Sequence, residues 1–183
     1  MLKINQLAET VSSQAGDRVK QACLVAILAG SLMALTACST PEGKSTVLGG
    51  DQGEVCVSLQ AEEEVVVGDV IALADPDHPV KIESVDLVNA TGIDVIAAYV
   101  LPIDSDGSVM TMSLDAPVRN WKKREPAKGQ VLGDEPANVV VQIRRIAEGH
   151  AGADALRVTY VTNDGLTYYD DGSTSIRLVD SCD

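Results

Sequence analysis

ALRVTYVTNDGLTYYDDGSTSIRLV, Ala155 to Val179, decides the fold. Leu156, Val158 and Tyr160 alternate with Arg157, Thr159 and Val161, so one face is apolar and the other is wet. Side chains of a strand alternate faces with period two, so this is a half-buried β-strand. Asn163-Asp164-Gly165 supplies the positive φ that a hairpin requires. Leu166 to Tyr169 pairs back, Asp171-Gly172 turns the chain again, and Ser175 to Val179 closes the domain.

The same grammar extends toward the N-terminus. Asn138 to Glu148 and Gly53 to Gln60 read as strands, and Glu64 to Leu73 as a strand region interrupted at Gly68-Asp69. Asp75-Pro76-Asp77-His78-Pro79 is a rigid turn, since two prolines remove ladder donors. In Val80 to Val88 the apolar phase slips: Val80 and Ile82 share one face, then Val85 and Leu87 take over. One extra residue at Glu83-Ser84, a β-bulge, restores the register. Ile93 to Ile103 is apolar on both faces and is expected at the centre of a sheet. Residues 104 to 137 are less regular, with three prolines at 117, 126 and 136. The expectation is an all-β chain: an immunoglobulin-like Greek-key sandwich of about seven or eight strands over residues 53–183. The core must be aliphatic, because the chain has one Trp, four Tyr and no Phe.

Upstream the composition changes. Ala22 to Ala37 is a 16-residue run without a charge, preceded by Arg18 and Lys20. It is shorter than the ~20 residues that cross a bilayer comfortably. A positive segment, an apolar run and small residues make the layout of a secretory signal. Leu35-Thr36-Ala37-Cys38 then resembles the lipobox of bacterial lipoprotein precursors. The resemblance implies that residues 1–37 are a helical signal peptide. It implies cleavage between Ala37 and Cys38 by a lipoprotein-processing peptidase, and a diacylglyceryl group on the Cys38 thiol. Lipidated Cys38 and a Gly/Ser/Thr/Pro-rich tether over 38–52 would then hold the domain outside the cytoplasm. The anchor would lie on the outer face of the cytoplasmic membrane, or in an outer membrane where one exists. The layout as a whole resembles small uncharacterised lipoproteins of high-G+C Gram-positive bacteria.

Four cysteines are present. Cys23 falls in the apolar run and Cys38 in the lipobox, leaving Cys56 and Cys182 at the two ends of the domain. An oxidising compartment permits them to pair. In the chain-entropy picture such a long loop is worth ~5 kcal/mol. Cys56 shares a strand face with Ser58 and Gln60, opposite Val55, Val57 and Leu59, so the bond is expected on an edge or outer face.

Net charge is −13. Residues 1–37 hold three basic and two acidic side chains, so the remainder carries 11 against 25, or −14. Phosphate backbones and anionic lipid headgroups repel such a surface taken as a whole, and nucleic acid is not an expected partner. Asp104-Ser105-Asp106, Asp170-Asp171 and the Asp75–Asp77 turn offer paired carboxylates without the closing Glu of a calcium loop. His78 and His150 have no Cys or His at zinc spacing. No nucleophile or phosphate-loop motif occurs. Neither a catalytic residue, a metal nor a cofactor is assigned. The most distinctive stretch is Arg119-Asn120-Trp121-Lys122-Lys123-Arg124. Arg119, Trp121, Lys122, Lys123 and Arg124 are candidates for docking a partner. The alternative for Trp121 is that it plugs one end of the sandwich core. These features point to a membrane-anchored binding or accessory module for another envelope component. The competing readings are a small-ligand or metal-binding lipoprotein and, third, a hydrolase with an unrecognised site.

Overall fold

The computed structural model describes residues 40–43, 45–49, 53–103 and 107–182. The signal segment, Ala37, Cys38 and the Asp104–Asp106 turn lie outside the described residues. In chain order the strands are β1 (Thr46–Leu48), β2 (Gly53–Ser58), β3 (Glu64–Leu73), β4 (Val80–Val88), β5 (Ile93–Pro102) and β6 (Thr111–Ser113). A 3-10 helix at Arg119–Lys123 follows. Then come β7 (Glu125–Pro126), β8 (Val131–Leu132), β9 (Ala137–Arg145), β10 (Ala151–Ala153), β11 (Ala155–Val161), β12 (Thr167–Asp171) and β13 (Thr174–Val179).

The first sheet runs β1-β3-β9-β5-β7, with β6 also on β3. Opposite it lie β12-β11-β4-β8 and β10-β13-β2. These two act as one bent layer. β10 leads into β11 and β12 into β13, each pair running in one direction, and Gly172 N–H donates to Leu156 O at 2.8 Å across the joint. Asp171-Gly172 is therefore a kink within a strand and not the expected turn: the ladder resumes on the same partner hairpin beyond it. Seven long strands result, with four short ones at the margins. The expected all-β, immunoglobulin-like sandwich is what the chain forms.

The core lies between the layers. Val65, Val67, Ile71, Val139, Val141 and Ile143 of the first sheet meet Val80, Ile82, Val85, Leu156, Val158, Tyr160 and Leu178 of the second. At about 25 cal/mol per Å² of apolar area, burial of these branched side chains is the main drive to fold. Leu156, Val158 and Tyr160 are buried as the alternation requires. The bulge in β4 sits where the phase slips: Ser84 pairs Thr159 and Ile82 pairs Tyr160, leaving Glu83 over.

Three expectations are corrected. β3 is not interrupted at Gly68-Asp69; it is continuous, pairing β9 from Glu64 to Ile71. Gly68 is needed for close packing, since a Cβ there would lie 2.5 Å from Val140 Cγ1 and 2.8 Å from Val139 O. Second, β5 is not the central strand. Beyond β9 its other edge meets only β7, at Tyr99 and Val100, and Val95 and Ile96 are exposed beside a bulge. The central strand is β9, whose Asn-Val-Val-Val run is buried on both faces.

Third, the described residues of the expected tether, 40–43 and 45–49, are part of the fold. Tyr169 N–H donates to Pro41 O at 3.1 Å and Gly43 N–H to Tyr169 O at 2.7 Å, so this segment lies beside β12. It then crosses to the first sheet, where β1 pairs Ile71–Leu73 of β3. Thr46 Oγ1 donates to the Asp170 carboxylate in a buried contact, and Ser45 N–H to the Tyr160 hydroxyl at 3.2 Å. Gly43 is pressed against Tyr160 so closely that a Cβ would fall 1.9 Å from its hydroxyl oxygen. The coil reading failed because Ser, Thr and Gly signal a linker only when nothing receives their hydrogen bonds. A mirror of this strap closes the other flank: β7 pairs β5, then Gly129 N–H donates to Ile82 O and β8 pairs β4.

The top of the sandwich is tied by Arg145, the residue that continues the inward phase of Val139, Val141 and Ile143. Its side chain is 1% exposed. It donates to Leu59 O, to Ala147 O at 3.0 Å, to Gly149 O at 2.7 Å and to the Asp180 carboxylate at 2.6 Å. Cys56 and Cys182 are disulfide-bonded with their Cα atoms 6.0 Å apart, on the outer face of the edge strand β2.

Two outcomes are expected. Arg145→Leu strands one buried carbonyl, that of Leu59, and two partly buried ones, and destabilises by about 3 kcal/mol. Asp180→Ala loses only a partner with 72% of its side chain in solvent, and costs far less. Urea titration of both variants tests the contrast. Asp69 is half-buried on the inward face of β3, and burial raises its pKa above the ordinary 3.8 despite the Val70 N–H bond. A raised folded-state pKa means stability is present when the group is protonated and lost as pH rises through that pKa. Asp69→Asn is expected to raise Tm at pH 7, and the gain to vanish below pH 3.8.

Candidate interaction surface

A sheet normally leaves one face to solvent, but the outer face of the first sheet is covered. Residues 107–124 fold back over it and build a second, smaller core from Val66, Leu101, Val109, Met112 and Val140. This cover explains why β3 and β9 each carry three consecutive valines: Val66 and Val140 face it while their neighbours face the main core. Gly68 N–H donates to Met110 O at 2.9 Å, and Val109 N–H to Asn138 Oδ1 at 2.8 Å, pinning the cover to β3 and β9. Val118 then leads into the 3-10 helix, and Asn120, 2% exposed, donates through Nδ2 to Pro102 O.

Trp121 therefore does not plug an end of the main core, as the sequence alternative had it. It is half-buried at the rim of this outer core, edge-on to Tyr99 with ring centroids 5.5 Å apart. Arg124 closes the stack. Its guanidinium carbon lies 4.4 Å from the Trp121 centroid and 5.1 Å from that of Tyr99, and Nη1 donates to Trp121 O at 3.1 Å. Of the five candidate docking residues, Trp121 and Arg124 thus hold the lobe together. Arg119, Lys122 and Lys123 point into solvent. Lys128, on the strap after β7, is exposed a short way along the chain and was not singled out from sequence.

The charge pattern is asymmetric. Arg144 pairs Glu64, Arg145 pairs Asp180, Arg157 pairs Asp171 and Arg177 pairs Glu54, each within 2.7 Å. Among the described residues, no ion pair involves Arg119, Lys122, Lys123, Arg124 or Lys128. Hydrogen bonds from Arg144 and Gln142 hold the half-buried Glu64 carboxyl below its ordinary pKa. Among the described residues, every arginine outside this lobe is ion-paired.

The acidic turns are engaged otherwise. Asp170 receives Thr46, Asp171 is held by Arg157, and Asp75 caps its own turn through Asp77 N–H and His78 Nδ1. No group of three or more His, Cys, Asp or Glu among the described residues is placed to hold a metal ion. His150 is exposed. No helix among the described residues is long and apolar enough to cross a membrane.

Removing the Arg124 cap is expected to loosen the lobe without unfolding the sandwich. Arg124→Ala should cost about 1–2 kcal/mol and raise the quenching of Trp121 fluorescence by iodide. An unchanged quenching constant would show that the guanidinium does not shield the indole.

No protein-family model matches the chain. No curated protein matches it. Among solved structures, it is similar to the ASH / PapD-like domain of human CEP192 (PapD-like domain 7), at 9% identity over 85% of this chain and 99% of that chain, with a TM-score of 0.40.

Proposed function

We propose that the chain is a bacterial lipoprotein precursor whose sandwich, lipidated on Cys38 and cut after Ala37, serves at the cell envelope as a binding or accessory module for another envelope component. The observation that carries the reading is Leu35-Thr36-Ala37-Cys38 at the end of an uncharged run behind Arg18 and Lys20. A thiol is the one good nucleophile in that stretch for a thioether-linked lipid. The disulfide between Cys56 and Cys182 suits the oxidising compartment that such an address implies. The unpaired cations of the 119–128 lobe, on a chain of net charge −13, supply the surface on which a partner would be received.

Two measurements test it. Intact mass of protein extracted from bacterial membranes is expected to correspond to a chain starting at Cys38 plus a diacylglyceryl group, and Cys38→Ser to abolish both the cut and the membrane association. A full-length soluble species from the wild type would sink the anchor. Crosslinking on intact cells through an exposed lysine outside the lobe, Lys81, is expected to capture one envelope component, and recovery of the lipoprotein-processing enzymes alone would count against the accessory role.

A further inference from the structure

We infer that the 119–128 lobe is a headgroup-binding surface that lays the sandwich on its side against an anionic membrane. The inference rests on the lipid anchor proposed above. Only Ser39 and Thr40 separate Cys38 from Pro41, and Pro41 is already fixed to Tyr169 beside β12. Three residues, however extended, span at most ~10 Å. A lipid on Cys38 therefore leaves no floating tether. It holds one end of the domain at the headgroups.

Topology says which end. The β3–β4 turn at Asp75–Pro79, the β11–β12 turn at Asn163–Gly165 and the last residue of β5, Pro102, all lie at that end, because β4 and β12 start there and β3, β5 and β11 finish there. The 3-10 helix rests on Pro102 through Asn120, so the cationic lobe is at the anchored end too. Charge is divided across this end. Asp75, Asp77 and Asp164 lie on its second-sheet flank and Asp134 and Glu135 lead into β9, while Arg119, Lys122, Lys123 and Arg124 cluster on the outer face of the first sheet, where they outnumber Asp115 and Glu125. Next to anionic headgroups the acidic flank is pushed away and the cationic flank is drawn in. The anchor makes this an encounter at fixed, high effective concentration, so a few unpaired cations suffice. The domain leans onto the lobe.

Trp121 is the only tryptophan and sits in that lobe, so it reports contact directly. Full-length lipidated protein recovered from membranes is reconstituted into vesicles carrying a nitroxide on the lipid headgroup. Some vesicles contain phosphatidylglycerol and phosphatidylcholine, others phosphatidylcholine alone, and flotation shows whether the protein is bound. The expected result is quenching of Trp121 in the anionic vesicles, with its loss in neutral vesicles, at high salt, and in Lys122→Glu/Lys123→Glu. Flotation with no quenching, or with quenching that the charge reversal leaves intact, overturns headgroup docking and spares the anchor. Failure to float overturns both. No quenching, together with a Trp121 emission shift on adding a polyglutamate peptide, overturns it in favour of an acidic protein segment.

Discussion

The guanidinium of Arg145 is the constraint on which the top of the sandwich depends. A buried charge is tolerated only when its donors are met and a counter-charge is close. Here three backbone carbonyls, from the β2–β3 connection and the β9–β10 loop, converge on one side chain, and Asp180 reaches in from the surface. Backbone bonds already bring these segments together, Leu59 N–H to Val179 O and Glu62 N–H to Arg145 O, and the guanidinium takes up the carbonyls that these bonds leave over. One arginine thus organises the N-terminal strand, the central strand's exit and the C-terminal tail into a single knot beside the disulfide.

Below that knot, closure is done by two straps. Sandwiches leave edges open, and open edges invite aggregation. Residues 40–49 bridge β12 and β3 on one flank, and residues 125–132 bridge β5 and β4 on the other. The remaining apolar liability, the outer face of β3 and β9, is covered by residues 107–124. The exposed stretch of β5 at Val95 and Ile96 carries a bulge, which spoils it as a template.

What was legible in the sequence follows from how far each signal reaches. Alternation in Leu156–Val161 and the phase slip at Glu83 are local and were read correctly, since period two needs only neighbours. The Cys56–Cys182 pairing came from elimination and compartment. The burial of Arg145 continues the alternation of Val139, Val141 and Ile143, but the carbonyls that make a buried guanidinium tolerable come from distant segments and leave no local mark. The strap at 40–49 was illegible because its signal is an acceptor elsewhere, Asp170 or Tyr169, more than 120 positions away. The triple valines of β3 and β9 marked burial on both faces, but no local pattern said that the cover would be the irregular segment 107–124. At the candidate surface the cluster of cations was plain; the inward turn of Arg124 over two rings was not.

The parallel pairing of β2 with β13 has a temporal side. Gly53 to Ser58 takes as its neighbour Thr174 to Val179, nearly the last residues of the chain. A polypeptide emerging N-terminus first must carry β2 without this neighbour until β13 has appeared. Closing so long a loop is slow, because the entropy is lost before the contact is gained. The early segment is spare in large apolar side chains, with Val55 and Val57 set among Gly53, Glu54 and Ser58. That composition lets it wait in water, and β2 becomes a latch that only β13 can shut.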